Sequence, residues 1–186
     1  MILYIHGFGS SGRGFKVNEM KQWFGDENIL APSLSYIPEL AMDTLIQLVE
    51  LLQKNQQSIR LIGSSLGGYY ALYLAERYQL KAVLINPAIY PYRELKVALG
   101  YSLNYYDQST FLCTEEHLSA LKKFEIDEPQ GQENLLLLLQ KHDEVLNYRD
   151  AIEKLPRAKT FVDTNGDHGY GNIVSKRTQI FNFIDS

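Results

Sequence analysis

The chain has 186 residues, 45% hydrophobic and 22% charged, with a formal charge of -4. That length suits one domain able to bury a core without disulfides or metal, and the acidic balance leaves no basic footprint for nucleic acid or an anionic membrane. The single cysteine, Cys113, excludes an internal disulfide framework, and no C-x-x-C or H-E-x-x-H spacing points to zinc.

The first apolar run, Ile2 to Ile5, predicts a strand that passes directly into His6-Gly7-Phe8-Gly9-Ser10-Ser11-Gly12. With neither a basic segment nor a long apolar stretch ahead of it, no export signal is expected and the cytoplasm is the expected location. Ile29 to Ala31 predicts a second strand, after which Ala41, Leu45, Leu48 and Leu52 share one face of a helix. A third strand, Ile59 to Ile62, leads into Gly63-Ser64-Ser65-Leu66-Gly67 and a helix with Ala71, Leu74, Ala75 and Tyr78 on one face. Ala82 to Ile85 is the fourth strand and ends at Asn86-Pro87.

From Asn86 to Gln132 the alternation breaks. This stretch carries Tyr90, Tyr92, Tyr101, Tyr105 and Tyr106 with Pro87, Pro91 and Pro129, and is too long for a simple connection. It predicts small helices over the sheet's edge, so residues 87–132 are read as a cap-like insertion in a single domain spanning 1–186. Leu135 to Leu139 is the fifth strand, followed by His142-Asp143-Glu144, and its five apolar residues fall far short of the ~20 that cross a bilayer. Thr160 to Val162 is the sixth strand and precedes Asp163-Thr164-Asn165-Gly166-Asp167-His168-Gly169; Ile173, Ile180, Phe181 and Ile184 then mark a closing helix. Six strands alternating with helices predict an α/β fold, with a mainly parallel sheet covered on both faces. Ligands of such sheets bind beyond the carboxyl ends of the strands, where the polar, glycine-rich segments fall.

Gly63 to Gly67 matches the G-x-S-x-G nucleophile elbow in its strand-turn-helix setting. Ser65 has glycine at both required offsets, whereas the position two before Ser64 is Ile62. A serine hydroxyl needs a base, usually a histidine oriented by a carboxylate. Among four histidines, His168 lies in a glycine-rich loop between the last strand and the last helix, within reach of Ser65 across the sheet's carboxyl edge. His6 reads as a structural residue of the first loop, and His117 as a surface residue of the cap. His142 leaves its loop to its neighbour Asp143. The elbow folds run Ser, then Asp or Glu, then His, which favours Asp143 over Glu144 as the acid; Asp163 and Asp167 read as shapers of the histidine loop. The alternative acid position, after the fourth strand, holds Asn86, which lacks a carboxylate's charge.

A tetrahedral intermediate needs two N–H donors, expected here from Phe8 and Leu66, the latter at a helix N-terminus. A phosphate-cradle reading of the first loop fails because no Gly-Lys-Ser or Gly-Lys-Thr follows.

With these segments in order, the chain resembles the YqiA-like bacterial esterases from end to end. The resemblance implies a small α/β-hydrolase fold lacking leading antiparallel strands, a triad on Ser65, Asp143 and His168, and hydrolysis of carboxylic esters or thioesters of modest acyl length. His142 departs from the small residue that usually precedes the acid. The expected activity is therefore a serine esterase or thioesterase acting on a small acyl ester, with no cofactor and no metal. Tyr90 and Tyr105 are candidate substrate contacts. A ligand-binding protein that has lost catalysis and an acyltransferase using the same acyl-enzyme are the alternatives; the oligomeric state is left open.

Overall fold

The computed structural model describes residues 1–186. β1 (Ile2–Ile5) leads to α1 (Phe15–Phe24), β2 (Ile29–Leu30), α2 (Pro38–Lys54) and β3 (Arg60–Ser64). α3 (Leu66–Tyr78) and β4 (Lys81–Ile85) follow, then an insertion containing α4 (Pro91–Glu94), β5 (Gly100–Leu103), β6 (Thr110–Cys113) and α5 (Glu115–Leu121). The chain closes with β7 (Leu135–Gln140), α6 (Tyr148–Lys154), β8 (Lys159–Asp163) and α7 (Arg177–Asp185). All six expected strands form, and they pair in the order β2-β1-β3-β4-β7-β8 with every ladder parallel.

Alternate residues of each strand enter opposite layers, as a pleat requires. Leu3, Ile5, Leu61, Leu84 and Leu137 pack with Leu45 of α2 and Leu74 of α3. Tyr4, Ile62, Val83 and Leu138 pack with Met20 of α1 and Ile180 of α7 on the other side. Burial of one such side chain is worth about 1.5–3 kcal/mol, so a strand apolar on both faces is held only between two helical layers. This accounts for the unbroken leucine run of β7.

The strand order reverses between β1 and β3: the chain leaves β1 towards β2 on one side and returns to β3 on the other. Such a switch point opens a crevice at the strands' carboxyl ends. Here Ile5 of β1 pairs with Gly63 of β3, which sets the first loop beside the elbow.

The insertion differs from the expected small helices by adding an antiparallel hairpin, β5 with β6. Its basis is a two-residue alternation: Tyr101, Leu103 and Leu112 face outward, while Ser102, Phe111 and Cys113 turn inward. Asn104 and Asp107 close the turn by accepting the Tyr106 and Ser109 N–H groups. The insertion seats on the loops at the carboxyl end of the sheet. Phe111 meets the rings of Phe8 and Tyr36, and the Tyr105 N–H donates to Gly9 C=O at 2.7 Å.

Candidate active site

Ser65 sits between β3 and α3 at φ 56° and ψ -123°, a backbone conformation that non-glycine residues rarely occupy. The turn is held by the Ser65 N–H on Ile85 C=O at 3.0 Å, and by the Gly68 and Ala88 N–H groups on Ser65 C=O at 2.8 and 3.0 Å. The flanking glycines are steric necessities. A Cβ on Gly63 would lie 2.2 Å from Gly67 C=O, and one on Gly67 would lie 2.0 Å from Ile5 C=O.

Ser65 Oγ is 3.0 Å from His168 Nε2, and His168 Nδ1 is 2.8 Å from Asp143 Oδ2. The Asp143 side chain is 2% exposed and its Oδ1 accepts the Val145 and Leu146 N–H groups, both at 2.8 Å. These donors compensate a buried charge and fix the carboxylate's orientation. The Ser65 hydroxyl and the His168 imidazole are within proton-transfer distance, and the Asp143 carboxylate orients the ring.

Gly7 presses the first loop against the elbow: a Cβ there would lie 3.1 Å from Ser65 Cβ. The Phe8 and Leu66 N–H groups have no hydrogen-bond partner within the protein, and Leu66 opens the 13-residue helix α3. Free donors at a helix N-terminus favour negative charge. His6 holds the first loop, its Nδ1 donating to Gly7 C=O and its Nε2 accepting the Leu34 N–H, both at 2.8 Å. Burial lowers the pKa of His6, against a smaller opposing effect of the Gly7 hydrogen bond.

The model of an uncharacterised protein family, UPF0227, matches residues 1–185. The chain belongs to the UPF0227 family. The UPF0227 protein YcfP of Salmonella arizonae is 28% identical to it over 177 residues, 93% of this chain and 92% of that protein. Est1E from Butyrivibrio proteoclasticus, solved with ferulic acid bound, superposes with a TM-score of 0.72 at 12% identity, over 100% of this chain and 89% of that one. Mouse alpha/beta hydrolase domain-containing protein 10 gives a TM-score of 0.73 at 17% identity, over 99% and 89% of the two chains. The fold of this UPF0227 chain is therefore that of the α/β hydrolases.

A cavity of about 630 Å³ opens over Ser65 and His168 in this UPF0227 chain. Tyr105 lies on its wall, 75% exposed. Tyr90, the other tyrosine expected there, is not on that wall: its ring packs against Tyr92 and beneath the Arg93 guanidinium. Its place is taken by the following turn, since Glu94, Leu95 and Ala98 line the cavity. His142 is exposed and makes no hydrogen bond to Asp143, whose lone pairs are taken by His168, Val145 and Leu146. His117 caps α5 by accepting the Thr114 N–H. Asp163 shapes the histidine loop, accepting the Tyr170 hydroxyl at 2.9 Å and pairing with Lys176.

Two residues weighed in the sequence only as alternatives for the acid hold the histidine loop instead. Asn86, 3% exposed, donates its side-chain amide to Asp167 C=O and His168 C=O at 3.2 and 3.0 Å and accepts the Gln140 N–H at 2.8 Å. Glu144 accepts the His168 N–H at 3.0 Å. The nearest available signal was an asparagine, tolerant of left-handed backbone, directly after a strand; Asn86 has φ 39°. No group of three or more His, Cys, Asp or Glu side chains is placed to hold a metal ion, and no helix is long and apolar enough to cross a membrane.

Proposed function

We propose that this UPF0227 member is a serine esterase or thioesterase of the cytoplasm that cleaves small acyl esters of short to medium chain length. The observation that carries the reading is the continuous chain of contacts from Ser65 Oγ through His168 to Asp143, beside two unpartnered N–H groups. In this reading Ser65 Oγ attacks the substrate carbonyl as His168 Nε2 takes its proton, and Asp143 stabilises the imidazolium. The oxyanion lies on the Phe8 and Leu66 N–H groups, where one such donor is typically worth ~10²- to 10³-fold in rate.

Collapse of the intermediate breaks the bond to the alkoxide or thiolate, which leaves with the proton from His168. Water then loses a proton to His168 and attacks the acyl-enzyme, and Ser65 departs with that proton as the acid is released. The cavity of about 630 Å³ falls in the range of small-molecule sites, roughly 300–1,000 Å³. The ferulic acid bound to Est1E, a protein of the same fold, supports a carboxylic acid as one product.

A fluorophosphonate probe applied to the protein and to Ser65→Ala and His168→Ala variants tests the reading, together with turnover of a series of acyl esters and acyl thioesters. Labelling that depends on Ser65, with turnover lost in both variants, is the expected result. A protein that neither labels at Ser65 nor turns over any activated short ester is a ligand-binding protein instead.

A further inference from the structure

Resting on Ser65 as the nucleophile, we propose that Glu94 selects esters that carry a hydroxyl or an ammonium group, by accepting a hydrogen bond from it. Glu94 ends α4 and lines the same cavity as Ser65 and His168. Its Oε1 accepts the Tyr90 N–H at 3.4 Å, which tethers the side chain to the start of α4. Its Oε2 is buried and has no partner in hydrogen-bonding geometry, so a donor in the cavity meets it when the carboxyl turns about its last bond.

An ionised carboxyl offers about four lone-pair sites, and leaving one oxygen buried and unpaired typically costs ~1–3 kcal/mol or more. The start of α4 draws on this carboxyl through the Tyr90 N–H and, more weakly, the Ile89 N–H, neither of which requires a full negative charge. No ion pair accounts for that charge either. The neighbouring cation, Arg93, is turned away over the rings of Tyr90 and Tyr92 at 4.7 and 5.5 Å, and Lys16 on the cavity wall donates to Gly169 C=O at 2.6 Å. Asp150 adds negative charge nearby, while His168 is the one opposing group on the catalytic side. Burial pushes the Glu94 carboxyl above the usual carboxylate range; Asp150 acts the same way, against the Tyr90 and Ile89 N–H groups and His168.

Leu95, Val97, Ala98 and Leu103 give the cavity wall an apolar stretch as well. A plain alkyl ester satisfies that wall and leaves Oε2 unpaired. A substrate with a donor several bonds from its carbonyl satisfies both. Sites that hydrogen-bond a substrate group discriminate strongly against analogues lacking it, because the site's own polar atom is then stranded.

The test compares kcat/KM within matched pairs. One series holds p-nitrophenyl hexanoate and its counterparts with a terminal hydroxyl or ammonium on the acyl chain. A second holds alkyl acetates with and without a terminal hydroxyl on the alcohol. In at least one series the wild type should favour the donor-bearing member by about tenfold or more, the discrimination expected for one hydrogen bond to a charged group. Glu94→Leu should bring every ratio to one. Glu94→Gln keeps an acceptor for the Tyr90 N–H and for a hydroxyl but removes the charge, so it should keep the hydroxyl ratio and lose the ammonium ratio. If Glu94→Leu does not fold, Glu94→Gln carries the test, because ratios divide out effects common to both members. Wild-type ratios near one in both series, a hydroxyl ratio that Glu94→Leu leaves unchanged, or an ammonium ratio that Glu94→Gln leaves unchanged, overturn the proposal.

Calorimetric binding of the same esters to Ser65→Ala separates the two readings. A Glu94-dependent preference in binding, with no turnover by wild type, keeps the role of Glu94 and removes the hydrolase. Turnover without preference does the opposite.

Discussion

The side-chain amide of Asn86 donates to the main-chain carbonyl of His168 at 3.0 Å, while its oxygen accepts the N–H of Gln140 at 2.8 Å. One buried amide thus ties the histidine loop to the end of β7, a task that needs a donor and an acceptor together. Asn86→Asp replaces both donors by an oxygen facing two carbonyls. We expect kcat to fall ~100-fold, the usual consequence of displacing a catalytic group by ~1 Å, with KM little changed. The low-field proton resonance of the His168–Asp143 hydrogen bond should weaken in parallel. An unaltered resonance with unaltered kcat would detach Asn86 from the placement of His168.

Asp143→Asn retains an oxygen for the Val145 and Leu146 N–H groups but favours the wrong histidine tautomer. Its kcat should fall by about 10³- to 10⁴-fold, with the fold intact by circular dichroism. His142→Ala, at an exposed neighbour with no bond to the acid, should stay within about twofold of wild type. Steady-state kinetics on one activated ester measures both.

Gly7→Ala inserts a Cβ 3.1 Å from Ser65 Cβ and 3.2 Å from Ser64 C=O, so the first loop must move by a few tenths of an ångström. That shift carries the Phe8 N–H away from the developing oxyanion. The rate of Ser65 acylation should drop by ~10- to 100-fold, less than complete loss of one donor. Stopped-flow acylation measures it, and labelling of the variant at the wild-type rate would exclude Phe8 from that role.

His6 is held neutral, because its Nε2 accepts the Leu34 N–H and burial lowers its pKa from the ordinary 6.5. The unfolded chain then binds this proton at a higher pH than the folded one. Stability is accordingly complete above about pH 6.5, falls as the pH drops through that value, and is fully reduced by this group below the folded pKa. His6→Gln, which keeps an acceptor, should flatten the slope of Tm against pH between about pH 7 and 5. Parallel slopes for the two proteins would exclude His6 as its source.

The strands were legible because each is short, apolar and buried on both faces, and Ser65 because only one frame places glycine at both offsets. His168 and Asp143 could be ordered along the chain by strand-end position alone, and the structure brings their side chains together with Ser65. The hairpin was less legible: Tyr101 to Leu103 and Thr110 to Cys113 alternate over only four residues each, too few to outweigh prolines and tyrosines that suggested helical turns. Asn86 acts through a contact across 82 residues of chain to His168, and no local pattern encodes such a distance. The separation of Tyr90 from the cavity wall depends on its ring turning towards Arg93, a choice made by packing.

The 2.7 Å hydrogen bond from the Tyr105 N–H to Gly9 C=O ties the tip of the insertion to the loop that presents Phe8. Gly9 stands at φ 60°, and a Cβ there would lie 2.8 Å from Leu103 C=O, so the two segments meet backbone to backbone. On the hydrolase reading proposed above, substrate preference and reactivity are consequently not separate modules. Exchanging the insertion for that of a relative, to import a new specificity, transplants one of the struts of the oxyanion loop as well, and a donor chimera would need a main-chain N–H at the same height above Gly9 before its new pocket could be put to use.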